Sequence, residues 1–311
     1  LLIFRLKLLP WLSFLMLYGS FGHAQTSPAQ KRTAIHVPMD AKYWNLNQPN
    51  AAFVTYKGIK ALEIKGEKQV VVKALEFANG TIEFDVQPTD AQHSPFVSFY
   101  FRRRDTLESE CVYLRMGRSH SEKRNDAIQY APFIKGVNLW NLLYHFQGPA
   151  VIHTDGWNHV KLVVSGVQLH AYVNDMSKPA LEIPRMEGNT TNGSIAFDGH
   201  AVYANLVVKP NATEDLPAIP GADLTNHDAN YIRSWQVTRP NWISASGDAG
   251  SIESIKDITT WMPIIAERHA LINITRLYGI GSSKPKRYVW LKTSIHSEKD
   301  QVVTFANGIL R

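Results

Sequence analysis

The stretch FVSFYFRRRDTLESECVYLRM, residues 96–116, decides the fold. Its two ends, FVSFYFRR (96–103) and ECVYLRM (110–116), have strand length and are rich in β-branched and aromatic residues. The arginines at 102–104 read as a solvated strand end. The same texture extends in both directions. AFVTY (52–56), IKALEI (59–64), QVVVK (69–73) and TIEFDVQ (81–87) precede it, and WNHVKLVV (157–164), VQLHAYVN (167–174), GSIAF (193–197) and HAVYANLVVK (200–209) follow. Several alternate with period two, and turn formers fall between most of them, as at Asn79-Gly80, Pro88, Gly156, Gly166 and Asn192-Gly193. No convincing amphipathic helix separates them, and parallel strands would need long crossovers. The expected fold is all-β, an antiparallel sandwich.

Outside this block the character changes. Arg5 and Lys7 supply a basic start, Leu8 to Tyr18 an apolar stretch, and Gly22-His23-Ala24 a small-x-small cleavage signal before Gln25. Residues 1–24 are therefore expected to be a cleaved signal peptide, and the protein to be secreted, periplasmic or at the cell surface. The apolar run is about half the roughly 20 residues that a spanning helix needs, so no transmembrane segment is expected. No cysteine stands at the cleavage site, which argues against a lipoprotein, and the opening on Leu1 reads as a trimmed start. Residues 25–40 read as a polar leader, 41–210 as the sandwich, and the proline-punctuated 211–230 as an interdomain linker. Strand-like runs resume at YIRSWQVT (231–238), LINITRLY (271–278), RYVWLKTSI (287–295) and QVVTFA (301–306). This second unit, 231–311, is expected to be a partial β-sandwich truncated at its C-terminus, because its last strand would be left as an open edge.

Composition fits a globular protein of about two domains, with 311 residues, 44% hydrophobic and 19% charged. Removing Arg5 and Lys7 with the leader leaves 31 basic against 27 acidic residues, a net charge of +4. Charges so few and scattered make nucleic acid an unexpected partner. Cys111 is the only cysteine, so no intramolecular disulfide forms; this suits a bacterial exported protein, with Cys111 an inert, partly buried thiol. Asn-x-Ser/Thr triplets begin at Asn79, Asn189, Asn192, Asn211 and Asn273, a pattern common by chance.

The run 96–116, followed by DAIQYAP (126–132), LWNLLY (139–144), GWNHVKLVVSGVQLHAYVNDMSKPALEIP (156–184) and AVYANLVV (201–208), resembles the concanavalin A-like lectin/glucanase domains, also called laminin G-like, of Bacteroidetes-type exported proteins. The likeness covers roughly 41–210. It implies a two-sheet jelly roll with a curved sheet whose concave face is the usual ligand surface, on a fold shared by lectins, adhesion modules and hydrolases. Residues 261–295 resemble part of a galactose-binding-type β-sandwich, through WMPIIAE, INITRLY and YVWLKTSI.

The catalytic motifs of such folds are incomplete here. A retaining glucanase presents Glu-x-Asp-x-x-Glu on one strand, so that two carboxylates reach the spacing hydrolysis needs. Glu83-Phe84-Asp85 supplies the first two, but the third position is Pro88. The 3-keto-disaccharide hydrolase relatives carry Asn-Ser-Gly before an aromatic-Arg pair, where this chain has Pro95-Phe96-Val97-Ser98-Phe99-Tyr100-Phe101-Arg102. No His-x-x-x-His or His-x-His, no Gly-x-Ser-x-Gly and no phosphate-binding glycine loop occurs. Asp155 and Asp198 are compatible with calcium, but no Asp-rich loop makes a site, and no cofactor is assigned. Glu267-Arg268-His269 would point to alternate faces if they lay on a strand. Trp157 reads as a packing anchor.

A binding surface remains. With Ile82, Phe84, Val86, Val112, Leu114 and Met116 toward the core, Glu83, Asp85, Tyr113 and Arg115 would face the concave side. Arginine offers a planar fork to hydroxyls or carboxylates, and aromatic rings stack on pyranose faces. The candidate ligand-binding residues are Arg115, Tyr113, Gln129, Tyr130, Trp140 and Tyr144. The expected role is a non-catalytic carbohydrate-binding or scaffolding module whose partner is a glycan or cell-surface polysaccharide. A glycoside hydrolase, or an accessory part of one, is the alternative, and a protein–protein adhesion module the third. Oligomeric state stays open.

Overall fold

Alternation of apolar and polar residues becomes, in the computed structural model, a set of antiparallel strands with one face buried. The structure describes residues 33–46, 49–90, 96–118, 124–219, 221, 231–243, 255–256, 258–280, 286–302 and 304. The expected signal peptide lies outside them.

The chain begins with β1 (Ile35–His36), β2 (Trp44–Asn45), β3 (Ala51–Tyr56) and the long β4 (Ile59–Val72). Then come β5 (Gly80–Pro88), β6 (Phe96–Arg103), β7 (Glu110–Arg115), β8 (Ile128–Tyr130), β9 (Phe133–Ile134), β10 (Val137–Asn138) and β11 (Gln147–Gly148). The hairpin β12 (Asn158–Ser165) and β13 (Gln168–Val173), the short β14 (Leu181–Ile183) and β15 (Ser194–Pro210) complete the sandwich. Residues 35–36, expected in the leader, pair with Val208 and Val207 of β15.

β15 organises the sheet. Its first half lies between β6 and the end of β4, with Phe197 opposite Phe99 and Val70. Its second half lies between β5 and the start of β4, with Tyr203 opposite Val86 and Leu62. Two layers therefore share β4 and β15: a front layer ordered β11-β8-β7-β6-β15 and a back layer ordered β15-β5-β12-β13-β14. The four separate runs read from the sequence as IKALEI, QVVVK, GSIAF and HAVYANLVVK are these two strands. They stay continuous because Gly66 and Gly199 pair at the bend with φ of +146° and +104°, a region closed to most side chains. At the far edge Gly148 lets β11 approach the other layer, since a Cβ there would lie 2.3 Å from the Ala180 carbonyl.

The core fills the space between the layers. Phe84 of β5, Phe99 of β6 and Phe197 of β15 meet with ring centroids 4.6–6.3 Å apart, and Trp44 and Tyr203 pack on Phe197 at 5.8 and 4.8 Å. Such tilted contacts add about 0.5–1.5 kcal/mol each beyond burial. Arg102 is not a solvated strand end: it is 3% exposed, with Nε donating to the Ala78 carbonyl and Nη2 to Asn79 Oδ1 and the Gly166 carbonyl. Trp157 sits edge-on to Tyr56 at 5.8 Å on the outside of the back layer.

Residues 211–219 and Gly221 run along the sandwich. Thr81 Oγ1 donates to the Ala212 carbonyl, Lys161 pairs with Glu214 at 2.7 Å, and the Gly221 amide donates to the Pro184 carbonyl. Beyond them β16 (Ser234–Val237) pairs with β18 (Met262–Ile265) and β20 (Leu291–Lys292), and β17 (Asn241–Trp242) pairs with β19 (Arg287–Tyr288). LINITRLY is not a strand. Asn273 Oδ1 accepts from the Arg276 amide, as an N-cap does, and starts the short helix α1 (Ile274–Tyr278). Nor do Glu267, Arg268 and His269 alternate on a strand, because a 3₁₀ turn with His269 at φ +55° replaces it. Glu267 and Arg268 consequently both join ion pairs with Arg276 and Glu187. Half of QVVTFA lies outside the described residues, and those of it that are described form no strand.

Candidate functional site

Period two places the chemistry on the outside of the front layer. Val97, Phe99, Val112, Leu114, Ile128 and Tyr130 fill the core, so Phe96, Ser98 and Tyr100 of β6, Tyr113 and Arg115 of β7 and Gln129 of β8 face away from it. Register aligns Ser98, Tyr113, Gln129 and Gln147 in one row across four strands, with Phe96 opposite Arg115 in the next.

This row is tied together. The Tyr113 hydroxyl donates to Gln129 Oε1 at 2.7 Å. Arg115 Nη2 donates to the same oxygen and to the Tyr113 hydroxyl, and Nη1 to the Asp126 carbonyl at 2.7 Å and to Gln147 Oε1 at 3.4 Å. Gln129 Nε2 donates to the carbonyls of Trp140 and Leu143 at 2.7 and 3.2 Å. A buried glutamine amide has two acceptor and two donor positions, and here all four are used. Gln129 thereby fixes the loop that carries Trp140 and Tyr144, each 55% exposed, while Phe96, 48% exposed, stands edge-on to Tyr113 at 5.8 Å. Burial pushes the Tyr113 hydroxyl above the ordinary tyrosine range, so it remains a donor.

Of the six residues expected at the site, Arg115, Tyr113 and Gln129 converge, and Trp140 and Tyr144 border them on the tethered loop. Tyr130 does not share this face. As the neighbour of Gln129 it points inward, fully buried, its hydroxyl donating to Glu110 Oε2 at 2.6 Å and accepting from the Glu187 and Gly188 amides. Glu83 and Asp85 do not join Tyr113 and Arg115 either, because β5 belongs to the back layer. Their partners are His159, whose Nδ1 lies 2.7 Å from Asp85 Oδ1, Lys209, 2.6 Å from Glu83, and Asn205.

Phe96, Gln147, Tyr100 and Asp198 were not among the expected site residues, although the phase of β6 was a signal for Phe96 and Tyr100. Tyr100 donates to Asp198 Oδ2 at 2.6 Å, and Asp198 lies opposite Ser98. Burial lifts the Asp198 carboxyl to about 7, with a further contribution from the charge of Glu67. Cys111 is fully buried, which raises its thiol pKa. Among the described residues no three His, Cys, Asp or Glu side chains converge as a metal would require, and no helix is long and apolar enough to cross a membrane.

No family model and no curated protein matches the sequence. Solved structures similar in outline include the carbohydrate binding module CBM66 from Bacillus subtilis, at 13% identity and TM-score 0.38, covering 57% of this chain and 95% of that one. A Bacillus subtilis protein with a galectin-like fold has 15% identity and TM-score 0.40, with coverage of 56% and 94%. A Bacillus licheniformis β-glucanase has 8% identity and TM-score 0.38, with coverage of 58% and 100%. Likenesses at this level carry no argument, and the all-β architecture stands on the strand pairing itself.

Proposed function

We propose that this chain is an exported, non-catalytic carbohydrate-binding or scaffolding module whose ligand surface is the outer face of the front layer, and whose partner is a cell-surface polysaccharide. One observation carries the reading: a fully bonded Arg115–Tyr113–Gln129 relay tethers the loop bearing two exposed aromatic rings, beside a third at Phe96. Flat rings present apolar faces to pyranose C–H groups, and a fixed polar border suits hydroxyls. Arg115 is 9% exposed and spends both Nη groups on the protein, so it is a positioning residue here.

A second reading, glycoside hydrolysis, is favoured by Asp198, whose carboxyl accepts from Tyr100 on the same outer face and is lifted to about 7 by burial, since hydrolysis uses an acid of raised pKa. Residues 25–311 screened on a glycan array, with reducing-end release followed in parallel, separate the two. Trp140→Ala is expected to weaken binding roughly tenfold, about 1.4 kcal/mol. Gln129→Ala is expected to act in the same direction by freeing the loop, and no sugar should be released. Release that Asp198→Asn abolishes would establish the hydrolase instead. Binding unaffected by either substitution would place the ligand elsewhere.

A further inference from the structure

A separate cleft of about 570 Å³ opens where the ends of β4 and β6 meet the start of β15, within the roughly 300–1,000 Å³ typical of small-molecule sites. It lies at the opposite end of β6 from Phe96, seven residues and about 23 Å of extended strand away. Its wall is built by close backbone approach. Gly193 exchanges hydrogen bonds with Phe77 at 2.8 and 3.1 Å, and a Cβ on Gly193 would lie 2.5 Å from the Arg103 carbonyl. Arg102, at φ +47°, breaks the alternation of β6, so that the consecutive Arg103 and Arg104 both line the cleft.

Apart from Asn189, whose amide donates to Glu108, and Ser194, whose hydroxyl donates to the Arg103 carbonyl, the polar groups here hold unused hydrogen-bonding capacity, in contrast to those around Arg115. Arg103 is anchored through Nε to Gln69 Oε1, and its two Nη groups have no hydrogen-bond partner among the described residues, although the charge of Asp105 acts on the guanidinium. Arg104 is 64% exposed and makes only loose contacts, 3.9 Å to Glu108 and 4.0 Å to Asp105. The buried Thr190 hydroxyl has no hydrogen-bond partner among the described residues, and the Asn192 amide reaches Glu76 only at 3.5 Å. Val72 and Leu75 add an apolar floor.

We propose that this cleft is a second binding site, for a short oligosaccharide carrying a carboxylate. The lining itself carries two guanidinium groups and one carboxylate, Glu76, with Asp105 and Glu108 only loosely placed beside Arg104, and the Nη fork of Arg103 matches a carboxylate in bidentate geometry. The volume exceeds what a lone inorganic anion fills, and the amides and hydroxyl beside an apolar floor suit a sugar ring.

Calorimetric titration of the whole protein with trigalacturonate, and with its methyl ester as the uncharged match, tests this. The acid should bind at least tenfold tighter than the ester. Arg103→Gln should weaken the acid by tenfold or more, and Arg104→Gln by a few-fold. Equal binding of acid and ester, no binding of the acid at millimolar concentration, or an Arg103→Gln protein that is folded and binds as before would each overturn the proposal. Displacement by sulfate at concentrations equal to the sugar would reduce the cleft to a simple anion site and also sink it. Should Arg103→Gln fail to fold, the ester and Arg104→Gln decide.

Discussion

Glu110 is a carboxyl with no access to water, tolerated because the Tyr130 hydroxyl donates to it and Arg102 lies near. Its place is reserved by Gly188, where a Cβ would come within 2.2 Å of Oε1. Burial raises its pKa from 4.5 to about 7, and that of Asp198 from 3.8 to about 7. Between these limits the folded chain keeps protons that the unfolded chain has released. The stability involved is full below pH 4 and is lost as pH rises through about 7, at up to about 1.4 kcal/mol per pH unit for each group. The urea midpoint should therefore fall between pH 5 and 7.5, and Glu110→Gln should flatten its share of that slope; an unchanged slope would show that Glu110 is ionised in the folded protein. The phase of β7 already put residue 110 on the inner face. What makes a carboxyl bearable there comes from Tyr130, twenty residues away in the chain.

Among the elements, β4 and β15 bear most of the architecture, and their shared bend rests on Gly66 opposite Gly199. Gly199 combines a φ of +104° with a Cβ position 2.5 Å from the Phe96 carbonyl. Gly199→Ala should cost about 2–3 kcal/mol, in the range of strained non-glycine backbone, read as a lowered denaturation midpoint at pH 7. A cost below about 0.5 kcal/mol would mean that the bend does not depend on this glycine. The strands themselves were legible because β-branched and aromatic runs alternate. Their continuity was not, since a glycine between two apolar runs marks a turn as readily as a bend. LINITRLY shows the reverse case: apolar enough for a strand, it was turned into a helix by the Asn273 cap.

At the scale of the whole molecule, α1 holds the C-terminal segment against the sandwich. Arg276 Nη1 and Nη2 reach the Glu187 carbonyl and carboxylate at 2.6 and 3.0 Å, and its Nε reaches Glu267 at 2.6 Å, while Arg268 lies over the Phe146 ring. Arg276→Leu strands the largely buried Glu187 without its best partner, and should cost about 2–3 kcal/mol, less than a fully enclosed pair. Limited proteolysis should then cut within 231–292 before the sandwich opens. If wild type and variant are cut at equal rates, this contact does not hold the segment.

The sequence by itself determined the all-β class, the strand positions of the sandwich between AFVTY and HAVYANLVVK and, through period two, which of their side chains turn inward; these depend only on neighbours in the chain. Tertiary structure alone decided which outward faces coincide. Glu83 and Asp85 parted from Tyr113 and Arg115 because β5 and β7 pair into different layers. Trp140 and Tyr144 joined the latter because Gln129 bonds to a loop of no regular pattern. A face shared by several strands is set by non-local pairing and by bends at glycine, and neither leaves a period in the sequence.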